Sequence, residues 1–145
     1  VTERIVAFEA AFASELRYRS ITESATDAMI TSDPAGQILR WNRAAEQMLG
    51  YRAEEIVGRG TPERIHDRAE IEARAIELGV EPGFEVFVRR ARELGREERE
   101  WTYVRRNGAR FPVRLSVTPL RGDTGELVGY LGIAADIAAR KAAEQ

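Results

Sequence analysis

The stretch 110–136 constrains the fold of this chain more than any other. Phe111, Val113, Leu115 and Val117 alternate with Arg110, Arg114, Ser116 and Thr118, so a strand here turns one set to a core and the other outward. The strand that follows, residues 127–136, is apolar on both faces: Val128, Tyr130, Gly132 and Ala134 share one, and Leu131, Ile133 and Ala135 the other. An antiparallel sheet with one wet face does not produce such a strand. Both faces of the sheet must be covered.

The strand before this pair begins near Glu98, and Asn107-Gly108 marks the turn. Two registers are open. A two-residue loop sets Thr102 and Val104 beside the core set, whereas a three-residue loop ending in a bulge sets Trp101 and Tyr103 there. Trp and Tyr each remove on the order of 150–250 Å² from water when buried, so area favours the three-residue loop. Gly122-Asp123-Thr124-Gly125 makes the next turn, and upstream residues 28–32 and 37–41 form a hairpin about Asp33-Pro34-Ala35-Gly36.

Cover for the outer face is at hand in the first segment. Val1, Ile5, Phe8, Phe12 and Leu16 recur at steps of three and four, drawing one apolar stripe along a helix over residues 1–19. That stripe needs a surface, in its own subunit or across a dimer. A polar stretch rich in cap formers, residues 20–27, separates it from the first strand.

The middle of the chain predicts short helices. Asn42 caps one that runs to Leu49 and ends at Gly50, and a second spans residues 53–57 before Gly58. Asp67 with Glu70 matches a capping box, opening a helix with Ala69, Ala73 and Ile76 inward until Gly79. Phe84, Phe87, Val88, Ala91 and Leu94 form a further helical stripe ended by Gly95, although Phe84 to Val88 alone also suits a strand.

Composition excludes several classes. At 145 residues with 43% hydrophobic content the chain fits one domain with a real core. Its 22 basic and 24 acidic residues are mixed along the sequence, leaving no basic face for nucleic acid and no polybasic membrane anchor. Glu3, Arg4, Glu9 and Glu15 exclude a signal-peptide core at the start, and the expectation is a soluble cytoplasmic module. With no cysteine there is no disulfide, thiolate metal site, iron–sulfur cluster, cysteine nucleophile or thiol adduct to a flavin.

Several strings, taken in order, resemble the PAS family of bacterial sensory modules. They are Asp27-Ala28-Met29-Ile30-Thr31-Ser32-Asp33 with its turn to Gly36; Trp41-Asn42-Arg43-Ala44-Ala45-Glu46; Leu49-Gly50-Tyr51 with Glu54-Glu55-Ile56-Val57-Gly58; Arg105-Arg106-Asn107-Gly108-Ala109-Arg110-Phe111-Pro112-Val113; and Gly129 through Asp136-Ile137. The resemblance covers residues 20–138. It implies an α+β fold: a five-stranded antiparallel sheet in order 2-1-5-4-3, short helices over its inner face, and the first helix, residues 1–19, on the outer face. It also implies a small molecule between sheet and helices. The family closes on Asp-Ile-Thr where this chain has Asp136-Ile137-Ala138, which leaves Asp136 as the polar hinge into a C-terminal linker helix, residues 139–145.

On this register the ligand-pocket candidates are Trp101, Tyr103, Phe111, Val113, Leu115, Tyr130, Gly132 and Ala134, with Ile30 and Ser32 added by the resemblance. Gly132 and Ala134 leave room for a guest; equally, Trp101, Tyr103 and Phe111 can fill that room as ordinary core. His66, the only histidine, lies where some family members supply a haem ligand, but the charges of Asp67 and Arg68 favour an exposed cap or hinge. No triad, paired-carboxylate cleft or metal-ligand spacing emerges, so the chain is not expected to be an enzyme.

The expectation is thus a sensor module of a larger signal-transduction protein, such as a histidine kinase or cyclic-dinucleotide enzyme. A small ligand shifts the sheet, and Asp136 and Ile137 pass the shift to a C-terminal effector. Ile5, Phe8, Phe12 and Leu16 cover the outer face or join a homodimer. The alternative is a ligand-free interaction module with a filled core.

Overall fold

The computed structural model describes residues 3–19 and 26–144; Val1 of the apolar stripe and most of the polar stretch after the first helix lie outside them. In chain order the elements are α1 (Glu3–Arg19), β1 (Ala28–Ser32), β2 (Ile38–Trp41), α2 (Arg43–Leu49), α3 (Ala53–Ile56), a 3-10 turn (Pro62–Ile65), α4 (Arg68–Leu78), α5 (Glu85–Leu94), β3 (Glu97–Val104), β4 (Arg110–Arg121), β5 (Leu127–Asp136) and α6 (Ala138–Ala143). The strands form one antiparallel sheet in the order β2-β1-β5-β4-β3. No helix among the described residues is long and apolar enough to cross a membrane.

Local chemistry explains several joints. Asp33 Oδ1 accepts from the backbone N–H groups of Ala35 and Gln37, both at 2.9 Å, and so closes the first hairpin. Asn42 Oδ1 caps α2 through Ala45 N and also accepts from Met29 N, each at 2.9 Å, tying β1 to the helix. Gly50 ends α2 at φ 84°.

Trp101 pairs with Val113 and Tyr103 with Phe111, the register that a three-residue loop sets. Arg105 N donates to Ala109 O at 2.8 Å, and Gly108 takes φ 90° between them. The inner face packs Ile30, Trp101, Tyr103, Phe111, Val113, Leu115, Val117, Tyr130 and Ala134 against helices α2 to α5. On the outer face Phe8 of α1 packs with Leu120, Leu131 and Ile133 of the same chain, and Ala11, Phe12, Met29, Leu39 and Val128 join them.

Four expectations are corrected. Helix α4 turns Ile71, Arg74 and Ala75 inward and leaves Ala69, Ala73 and Ile76 outside, Ile76 at 84% exposure. Polar anchors set this rotation: Glu70, far from closing a capping box, accepts from Thr102 N at 2.6 Å and Oγ1 at 2.8 Å on β3, and Arg74 pairs with Glu97 at 2.6 Å. In α5 the buried face ends at Ala91, and Leu94 is 73% exposed. Val128 belongs to the outer cluster because β5 carries one extra residue where Leu120 pairs Gly129 but Arg121 pairs Leu127; Leu127 faces the inner core instead. His66, expected at the surface, is 5% exposed.

Candidate functional site

Between the inner face of the sheet and α5 lies a small cavity of about 40 Å³ that opens toward the surface. Of the pocket candidates, Ile30, Ser32, Tyr103, Leu115, Tyr130 and Gly132 line it, as does Val117. Trp101, Phe111, Val113 and Ala134 are buried in the surrounding core instead. The rest of the wall is Pro62, His66, Phe84, Phe87 and Val88. Phe84, Phe87 and Val88 were legible as an apolar stripe but not as pocket wall. Thr61-Pro62 was a usable signal as well, since a Thr cap followed by Pro starts a helical turn.

That turn explains His66. Thr61 Oγ1 caps the 3-10 segment by accepting from Glu63 N at 3.3 Å, and the chain leaves the turn running back to β3. There His66 forms a β-bridge with Tyr103, and Asp67 N donates to Thr102 O at 3.0 Å. The imidazole stacks on Phe87 with centroids 3.9 Å apart and meets the edges of Trp101 and Tyr103 at 5.3 and 4.8 Å. Its Nδ1 lies 2.7 Å from Pro62 O. A carbonyl only accepts, so Nδ1 carries the proton and Nε2 is the bare lone pair. Nε2 is buried with no hydrogen-bond partner among the described residues.

Burial pushes the His66 pKa down to about 4, against the smaller opposing effect of the Pro62 hydrogen bond. Burial raises that of Tyr103. Near the rim Arg92 donates to the Tyr130 hydroxyl at 2.9 Å and pairs with Glu85, which also binds Arg89 at 2.7 Å. The Arg92 hydrogen bond, with help from Arg89, holds the Glu85 carboxyl below its ordinary range.

Neither flavin nor haem fits this site as it stands. A cavity of about 40 Å³ falls well below the roughly 300–1,000 Å³ of ordinary cofactor pockets. Among the described residues no group of three metal-ligating side chains converges.

At its C-terminal end the central strand β5 hands over to α6. Ile137 N donates to Pro112 O at 3.1 Å, Ala138 N donates to Asp136 Oδ1 at 2.9 Å, and Asp136 lies 3.8 Å from Arg105. Lys141 of α6 pairs with Glu100 of β3 at 2.7 Å. Asp136 therefore supplies the polar anchor that Ala138 lacks. On α1, Phe8 is buried and Phe12 and Leu16 half-buried, while Ile5 is 53% and Val6 59% exposed.

With this geometry in hand, comparison with known proteins identifies the architecture. The family model of the PAS fold matches residues 16–137, and the chain belongs to that family. It is 31% identical over 134 residues to the two-component system protein A of Emericella nidulans, covering 88% of this chain and 17% of that protein. The crystal structure of the PAS domain of a protein from Colwellia psychrerythraea superposes with a TM-score of 0.69 at 24% identity, covering 87% of this chain and 99% of the other. An RNA-binding light-oxygen-voltage receptor gives 0.64 at 22% identity, over 94% of this chain and 36% of that one. These two similarities concern the fold.

Proposed function

We propose that this chain is a sensor module of a larger cytoplasmic signal-transduction protein, a histidine kinase or a cyclic-dinucleotide enzyme, and does no chemistry itself. The observation that carries the reading is a cavity inside a PAS fold lined in part by buried His66, whose Nε2 has no hydrogen-bond partner among the described residues. The fungal two-component relative, of which the chain matches a small share, supports the signalling context. A ligand acts by favouring one of two arrangements of sheet and helices, and only differential affinity does that. Amide NMR against a panel of small metabolites tests this: saturable shifts at Ile30, Tyr103 and Gly132 are expected.

A second reading is favoured by the aromatic packing. Phe87, Trp101, Tyr103 and Phe111 meet edge to face at 5.1 to 6.1 Å and leave little room, as in a ligand-free interaction module. A panel with no saturable ligand selects it.

In the sensor reading the output path runs through Asp136 and Ile137 into α6. Asp136→Ala in the full-length protein removes the acceptor for Ala138 N and the charge beside Arg105. Effector output should change at least twofold with the thermal midpoint of the domain within about 3 °C, since a partly exposed cap costs on the order of 1 kcal/mol. Unchanged output removes Asp136 from the path.

Homodimerisation belongs to this proposal too. Phe8 is spent on the chain's own sheet, so the surface left for a second copy centres on Ile5 and Val6. Ile5→Glu with Val6→Glu should lower the mass seen by light scattering to that of one chain; an unaltered mass counts against pairing through α1.

A further inference from the structure

We propose that the cavity is the closed form of a site for a small uncharged hydrogen-bond donor, a short-chain alcohol, which seats its hydroxyl against Nε2 of His66. The inference rests on the sensor reading and adds the chemistry of the ligand.

The ring's hydrogen bonding decides what the site accepts. Nδ1 is committed to Pro62 O at 2.7 Å, which leaves Nε2 as an acceptor. An acceptor buried without a donor carries its full desolvation penalty, and a ligand that brings a donor relieves it. The depressed pKa agrees with a ring that stays neutral near pH 7 and keeps that lone pair. Acceptor-only molecules gain nothing here, so diatomic gases, nitriles and carboxylates are excluded. Anions are further disfavoured by an apolar wall of Ile30, Phe84, Phe87 and Val88.

Size narrows the class. About 40 Å³ is slightly more than the roughly 30 Å³ that one water occupies in the liquid, and well short of the roughly 150 Å³ of an apolar cavity that takes benzene. Without movement the cavity has room for little more than a water, so an alcohol of two or three carbons is seated only as the cavity widens.

That movement is built in. Nε2 is closed off from water, with Phe87 stacked on the ring at 3.9 Å and Trp101 and Tyr103 set edgewise around it. The lone pair lies in the imidazole plane, so a hydroxyl reaches it only when the side chains packed around the ring part, Phe87 of α5 from Trp101 and Tyr103 of β3. Phe87 sits on α5, so seating the donor displaces that helix relative to β3, and recognition and conformational change become one event.

His66 is the sole histidine, which makes the test direct. Long-range ¹H–¹⁵N correlation of the imidazole in the whole chain is expected to show the Nδ1–H tautomer. Ethanol, titrated through the millimolar range because a three-atom ligand binds roughly there at best, should move the Nε2 resonance saturably toward the hydrogen-bonded position. Acetonitrile and acetate should not. Butan-1-ol separates a free short alcohol from the hydroxyl end of a longer molecule, which alone binds more tightly as the chain lengthens. In His66→Leu the saturable ethanol shifts of Ile30 and Gly132 amides should vanish. An Nε2–H tautomer, a linear response to ethanol as to any cosolvent, or an equal response to acetonitrile overturns the proposal. A larger metabolite that saturates the cavity amides while Nε2 stays put would overturn it and leave the sensor reading intact.

Discussion

Gly129→Ala is expected to cost about 3 kcal/mol of stability, the upper end of ordinary overpacking, because the new methyl meets backbone. A Cβ at Gly129 would lie 2.3 Å from Ser32 O and 3.1 Å from the Phe8 ring. Ser32 belongs to β1, paired to β5 at Tyr130, so relief requires the two central strands to part where they are hydrogen-bonded. Phe8 is the buried anchor of α1 on the outer face, and its ring must lift as well. One methyl thus opposes both the pairing that holds the first hairpin to the sheet and the docking of the N-terminal helix. Gly132→Ala provides the contrast: its Cβ would meet Leu115 Cδ1 at 3.4 Å and Ile30 O at 3.6 Å, close to ordinary contact. That variant should stay within about 1 kcal/mol of the parent. For a chain of this length the cost at Gly129 corresponds to a thermal midpoint roughly 6–12 °C below that of the parent. Urea unfolding of the three proteins checks it, and equal midpoints would mean that β1 and β5 separate at Ser32 without cost.

The close approach at Gly129 marks the boundary of what the chain discloses by itself. Strand limits, the Asn42 cap and the β3–β4 register are local properties: alternation of period two, Asn42 before Ala45, Gly108 at a positive φ. They were readable, as was the need to cover both faces of β5. The rotation of α4 was not, because Glu70 and Arg74 are fixed by Thr102 and Glu97, partners 32 and 23 residues away. Ala69, Ala73 and Ile76 offered a plausible stripe, and two hydrogen-bonded anchors outweighed it. The bulge at Val128 escaped for another reason: Leu127 and Val128 are both apolar, so the pattern looks the same with the parity shifted by one.

The site divides in the same way. Candidates carried by strand alternation, such as Tyr103, Leu115 and Gly132, line the cavity, while Trp101, Phe111 and Val113 share their face but lie in the core around it. Alternation assigns a face and not a position along it. His66 was misplaced because charge in the neighbouring residues is a poor guide when a 3-10 turn and a β-bridge reverse the chain within a few residues.

Acidification from pH 7 to pH 5 is expected to remove on the order of 2 kcal/mol of stability through His66 alone. Its folded pKa of about 4 lies below the ordinary 6.5, so between those values the unfolded chain holds a proton that the folded chain refuses. The contribution is whole above pH 6.5, declines as pH falls toward 4, and changes no further below that. Carboxylates held low by arginine, such as Glu85, add their own loss only as pH falls through the acid range, so the window from 7 to 5 isolates the imidazole. Urea midpoints should fall across that window in the parent chain and stay level in His66→Leu, which pays a constant packing cost but has nothing to titrate. The same window bears on recognition: a proton on Nε2 removes the lone pair that a donor needs, so a ligand that hydrogen-bonds there resists protonation and, when it saturates the site, carries the pH-dependent loss on to lower pH. A midpoint unaffected by pH between 7 and 5 in the parent chain would mean that His66 reaches solvent or shares its charge, and the bare buried nitrogen would no longer be available to select a ligand.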